Sequence, residues 1–241
     1  MRCIKGVLLI YILICVMSCN SQNTKNQREK LENKYNMEKM EIKKKFDVAV
    51  FNKQNNAGRY EFIDLNGVEV TQWVDDDFPS GKVNVYIEER NYPNSPYKQT
   101  CAYDNNGNLV QSVKTFYGFL CETELNFDIN GNIISEKNHD ILYGFSIMEL
   151  IVKMEQEYEI DMLDKANNYI ARYQENKFLN IPVYEIYHVI NDVSTTYKNA
   201  YLIDGNSGET LFIIKCPLWE DGMEETVSIV EEYFNSLEKK Q

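Results

Sequence analysis

The chain has 241 residues, with 25 Lys and Arg against 37 Asp and Glu, a net charge of −12. An acidic surface repels phosphate backbones, which argues against nucleic acid as a partner and favours a basic protein or peptide. The length suffices for one large or two small domains, and 17 Tyr residues suit half-buried sheet surfaces and interfaces alike.

The chain begins with a short basic head, Met1-Arg2-Cys3-Ile4-Lys5. A run of about a dozen apolar residues follows to Met17, and Ser18 and Cys19 close it. This is the layout of a secretory signal, and the run is too short for a stable membrane span. Val16-Met17-Ser18-Cys19 resembles the lipobox of bacterial lipoproteins. That resemblance implies cleavage after Ser18 and acylation of Cys19, with chains such as palmitate, as residue one of the mature protein. An ordinary signal cut elsewhere, or an uncleaved anchor, is the alternative. Asn20 and Ser21 lack the acid that often marks inner-membrane retention in such lipoproteins. No acidic cluster follows Cys19, so the resemblance implies the outer membrane, facing the periplasm. Removing the leader leaves 23 basic against 37 acidic residues, a net charge of −14.

Cys3 and Cys15 leave with the leader, so Cys101, Cys121 and Cys216 remain. An odd count with no Cys-x-x-Cys reads as three small buried apolar residues, neither a disulfide framework nor a zinc site.

Residues 20–27 hold no apolar side chain and read as a tether. Residues 28–45 are charge-dense with a thin apolar stripe, a marginal helix or an extension of that tether. Its excess of Lys could also touch anionic headgroups. From Gly58 the hydrophobic period becomes two. Tyr60 and Phe62, then Val68 and Val70, alternate with polar residues around Asn66-Gly67, which predicts a hairpin. Val83, Val85 and Ile87 predict a strand, and residues 91–96, with Pro93 and Pro96, end it.

A short repeat follows. Tyr103-Asp104-Asn105-Asn106-Gly107-Asn108-Leu109 recurs 24 residues on as Phe127-Asp128-Ile129-Asn130-Gly131-Asn132-Ile133, with Asp64-Leu65-Asn66-Gly67 as a weaker copy. Asn-Gly suits the two positive-φ positions of a tight hairpin turn. Strands are predicted over 109–117 and 120–127, the second with Cys121, Thr123, Leu125 and Phe127 on one face. These units resemble the Tyr-Asp hairpin repeats of bacterial surface and toxin proteins, over about 40 residues. Their glycine stands fourth, where a calcium loop of the EF-hand type needs it sixth, so the turn reading is preferred to calcium binding.

Ser146-Ile147-Met148-Glu149 is a capping box opening the longest helix. Ile147, Leu150, Ile151, Met154 and Tyr158 keep helical spacing, and Leu163, Ala166, Tyr169, Ile170 and Tyr173 continue it. The phase wavers near residues 160–162, so two helices are possible. Strands are predicted over 181–190, 197–203 and 209–216, the last two joined by a turn at 204–208. A last helix is predicted over 221–237. Pro182-Val183-Tyr184-Glu185-Ile186 followed by Tyr201-Leu202-Ile203-Asp204-Gly205-Asn206-Ser207-Gly208-Glu209-Thr210-Leu211 resembles the PepSY family of small envelope domains, over roughly 146–216. The resemblance implies inhibition or chaperoning of secreted peptidases, or other envelope tasks, and transfers no catalytic residue. The long polar turn at 191–194 and the appended last helix depart from the family pattern.

His139 lies in a polar loop and His188 in a strand, with no second His for a metal pair. No nucleophile elbow, zinc helix or phosphate loop is present. Asp75-Asp76-Asp77 reads as a solvated loop in preference to a cation or partner site.

The fold expected is therefore α+β: an antiparallel β-meander of hairpins, then a helix–three-strand–helix domain. The divisions are 1–18 signal, 19–57 lipidated Cys and tether, 58–143 hairpin repeats and 144–241 PepSY-like domain. The function expected is a lipid-anchored envelope protein that binds another protein, as an inhibitor or immunity-type partner. An envelope-assembly lipoprotein without a tight partner and a carboxylate hydrolase are the alternatives. No catalytic, cofactor or metal residue is assigned, and Cys19 is the one modification site.

Overall fold

The computed structural model describes residues 42–75, 85–174, 179–191, 196–217 and 228–239. Cys19, the leader, the tether up to residue 41, Val83 and the start of the predicted last helix lie outside these residues. The fold is α+β and mostly sheet. A short helix α1 (Val48–Gln54) precedes seven strands: β1 (Arg59–Ile63), β2 (Glu69–Asp75), β3 (Val85–Asn91), β4 (Tyr97–Tyr103), β5 (Leu109–Phe116), β6 (Phe119–Phe127) and β7 (Ile133–Asn138). They form one antiparallel meander in chain order. Next come α2 (Ile147–Tyr158), β8 (Asn168–Tyr173), β9 (Val183–Asn191), β10 (Thr196–Asp204), β11 (Thr210–Pro217) and α3 (Ile229–Glu238). The second sheet has the order β11-β10-β9-β8.

The hairpins of the meander stand where the repeats place them, but the turn differs from expectation. Only glycine takes positive φ there, at +78° for Gly67, +76° for Gly107 and +82° for Gly131. Each preceding Asp explains why. Asp64, Asp104 and Asp128 accept through Oδ1 from the backbone N–H groups two and four residues on, at 2.8–3.1 Å. Their carbonyls accept from the glycine N–H at 2.8–3.0 Å. That is a three-residue loop, a type I turn closed by a left-handed glycine, rather than the two-residue primed turn. The same bonds occupy the Asp oxygens that a cation would need.

Residues 42–57, expected within the tether, pack against the sheet instead. Phe46 and Phe51 are buried with Cys101, Tyr103 and Leu109, and Phe46 stacks on Tyr86 at 4.9 Å. Phe46 N–H donates to the Gly107 carbonyl at 2.8 Å, and Tyr103 Oη donates to the Lys43 carbonyl at 2.9 Å. The charged surroundings of these two aromatics hide them from a reading of periodicity. Each contributes about 2 kcal/mol by leaving water.

In the C-terminal half, α2 begins as predicted: Ser146 Oγ accepts from Glu149 N, and the Glu149 carboxylate accepts from Ser146 N. It ends earlier than its apolar stripe suggests. Glu159 caps it in the left-handed conformation (φ 58°), and Asp161 and Asp164 fold the chain into turns. The stretch expected to continue the helix is β8, so this half has four strands rather than three. Asn168, Ile170 and Arg172 face one way and Tyr169 and Tyr173 the other, a period of two that the helical spacing masks. Helices cover both faces of this sheet. α3 sets Ile229 and Val230 on Val183, Ala200 and Leu202, whereas α2 sets Tyr158 on Tyr201, which points the opposite way, at 4.7 Å.

Candidate functional site

A row of polar side chains crosses one face of the meander: Gln72, Glu88, Cys101 and Ser112 stand opposite one another on β2 to β5. All four are buried, and Glu88 accepts from Gln72 at 2.6 Å and from Arg90 at 2.8 Å. Arg90 also reaches Asp64 at 3.0 Å. This network is nearly self-sufficient; Gln99 Oε1, beside it, is buried without a partner. Burial pushes the Cys101 thiol up, although the neighbouring polar groups of Tyr103, Ser112 and Gln99 pull the other way, so it is a poor nucleophile. The row is internal wiring of the fold.

The open chemistry lies at β7. This strand ends the meander, so one of its edges is unpaired by any described strand. His139 N–H donates to the Glu122 carbonyl at 2.9 Å. Alternation then turns the backbone groups of Lys137 and Ser135 toward β6, opposite Glu124 and Asn126. The N–H and C=O groups of Glu136 and Asn138 point away from the sheet. All six residues are exposed on both faces. Ile133 and Ile134 are 49 % and 66 % exposed, with Ile129 at 74 % in the preceding turn. Ile141, Leu142 and Leu120 are exposed at the other end of the strand. Exposed aliphatics beside a free edge invite another strand, a hazard unless that pairing is used.

The far end of β7 is held rigidly. Arg172 on β8 pairs with Asp140 at 2.5 Å and donates to the carbonyls of His139, at 3.0 Å, and Leu120. Its guanidinium lies between the rings of Phe119 and Tyr143, 4.8 and 4.7 Å from their centroids. Burial pushes the Tyr143 phenol up to about 12, although Arg172 pulls the other way. Asp140 Oδ2 also accepts from Glu122 N at 2.9 Å, where β6 bulges with Glu122 at φ 57°. His139, expected in a polar loop, is buried and bonded to Glu124 at 3.0 Å. Burial opposes charge on Glu124, but His139, Asn126 and Gln111 hold its carboxylate below the usual range.

The other singled-out residues do not converge. Cys101, Cys121 and Cys216 are free thiols. His188 bonds Asn168 at 2.8 Å, and burial lowers its pKa. Asp75 ends β2, and Asp76 and Asp77 lie outside the described residues. Among the described residues no cluster of His, Cys, Asp and Glu is arranged to hold a metal, and no helix is long and apolar enough to cross a membrane. Arg172 and the β7 edge went unseen in the sequence. The repeat marks where β7 starts, but nothing local says that it is last in its sheet. No family model, curated protein or solved structure matches the chain.

Proposed function

We propose that this is a lipid-anchored cell-envelope protein, attached through Cys19 to the outer membrane on its periplasmic side, that binds another protein by the β7 edge. The observation that carries the binding reading is a terminal strand whose outer edge no described strand pairs, with both faces in solvent and isoleucines at its start. The acidity of the chain suits a basic partner, and the role is that of an inhibitor or immunity-type protein. The likeness of residues 146–216 to PepSY domains supports the same reading.

Two experiments test it. Labelling with a fatty-acid analogue is expected for the wild-type chain and not for Cys19→Ala; equal signal from both, or none from either, removes the anchor. A photo-reactive amino acid placed at Ser135 in the full-length chain is expected to give a discrete protein adduct in cells. The same group at Glu61, exposed on β1, serves as the control. No adduct at Ser135, or the same adduct from both positions, refutes binding at β7.

A further inference from the structure

The edge also carries a pattern that selects its occupant. We infer that β7 takes an antiparallel extended segment of a different protein, with an acid opposite Lys137, a base opposite Glu136 and β-branched residues opposite Ile134 and Ile133. This rests on the protein-binding reading above and adds the chemistry of the partner.

A second copy of the chain is a poor occupant. In a two-fold antiparallel pair, outward-bonding residues must face outward-bonding residues. Pairing centred on Glu136 sets carboxylate against carboxylate. Pairing centred on Lys137 sets ammonium against ammonium in the closer, non-hydrogen-bonded position. Pairing centred on Ser135 brings Glu136 and Lys137 against the Ile134–Ile133 end, where β7 bulges out of its register with β6. Like charges directly opposite are unfavourable, and the third register buries charge on aliphatic surface. Each central register of self-association is therefore disfavoured by β7 itself.

The two charges are available to a partner. Glu136 and Lys137 make no ion pair among the described residues. The register neighbour of Lys137 is Glu124, whose carboxylate is already engaged by Gln111, Asn126 and His139 at 2.9, 3.3 and 3.0 Å. An incoming strand that read acid, base, polar from its N-terminus would meet Lys137, Glu136 and Ser135 in turn, and two aliphatic residues after them would reach the bulged Ile134–Ile133 end. It would bond the outward groups of Asn138 and Glu136 while covering both isoleucines.

The test uses the full-length chain in detergent and two synthetic peptides, Thr-Glu-Lys-Thr-Val-Val and its charge-swapped form Thr-Lys-Glu-Thr-Val-Val, at millimolar concentration. The readout is hydrogen-exchange protection over residues 132–138. Protection by the first peptide and about tenfold weaker binding of the second are expected, from two cross-strand charge pairs changing sign. In the double variant Glu136→Lys, Lys137→Glu the preference should reverse. Glu136→Pro removes only an outward N–H and should abolish protection by either peptide. Equal affinity for both peptides, or no reversal in the double variant, overturns the charge assignment even if the proline variant fails to fold. Protection that survives in a folded Glu136→Pro chain overturns strand addition. Protection of 132–138 that grows with protein concentration alone overturns a foreign partner. If neither peptide protects β7 while the Ser135 adduct persists, this inference fails and the protein-binding reading stands; loss of both ends both.

Discussion

Replacing Arg172 with Ala tests how the second sheet is fastened to the end of β7. The Arg172 side chain is 5 % exposed and its partner Asp140 is 32 % exposed. Removal breaks one ion pair, takes donors from the carbonyls of Leu120 and His139, and empties the space between Phe119 and Tyr143. Breaking a fully buried pair costs about 3–5 kcal/mol. Asp140 keeps some water, which places this one near the lower end, about 3–4 kcal/mol. For a unit of roughly 200 residues each kcal/mol moves Tm by about 2–4 °C, so a fall of about 6–16 °C is expected. Thermal and urea unfolding followed by circular dichroism measure it, with Asp140→Ala and the double variant completing a cycle. Cys121 supplies a local readout: it is fully buried, so opening of the seam should expose it and quicken its alkylation in Arg172→Ala, against the loss of a charge that favours its thiolate. A loss below about 1 kcal/mol, or an unchanged alkylation rate, refutes the view that this one side chain fastens the two sheets.

Gly107 and Gly131 occupy equivalent turns in different surroundings. A Cβ on Gly107 would lie 2.4 Å from the Phe46 carbonyl oxygen, whereas one on Gly131 meets nothing within 4 Å. Gly131→Ala should therefore cost about 1 kcal/mol, for the left-handed backbone alone. Gly107→Ala should cost about 3 kcal/mol and loosen residues 42–51 in hydrogen exchange; equal Tm losses would show that the N-terminal segment does not press on that turn. Glu185 is buried on β9, and burial raises its pKa despite a hydrogen bond from Tyr187 at 3.2 Å. The folded state thus holds the proton where the unfolded state has released it. Stability from this group is full below the unfolded pKa near 4.5 and declines as pH rises through the folded value. Glu185→Gln should gain stability over the wild type as pH rises from 4.5 toward 7, because the wild type alone must bury a charge or hold a proton there. A gap that stays constant with pH would sink that reasoning.

Much of the meander was legible because its turns are written locally: Asp, two residues, Gly. The turn type was not, since Asn-Gly satisfies two geometries and the choice is made by Asp side chains bonding the backbone. β8 was hidden because Leu163, Ala166, Tyr169, Ile170 and Tyr173 are spaced for a helix as well as for a short edge strand. A left-handed Glu159 and pairing with β9 decide between them, and pairing is non-local. Phe46 and Phe51 were lost among lysines for the same reason, as their partners Tyr86 and Tyr103 lie far along the chain. The outer edge of β7 was illegible in principle, because an edge is defined by the strand that is not beside it.

The attachment of residues 44–46 to the Gly107 hairpin has a mechanical consequence. Tension applied upstream of Ile42 enters the fold at the Lys43 carbonyl held by Tyr103, then at the Lys45–Asn108 bridge and the Phe46 amide, and runs into a knot of four aromatic rings. A body held by its leading end would thus hang from a ring-lined plug, and a modest pull would extract that plug while leaving the seven strands in register.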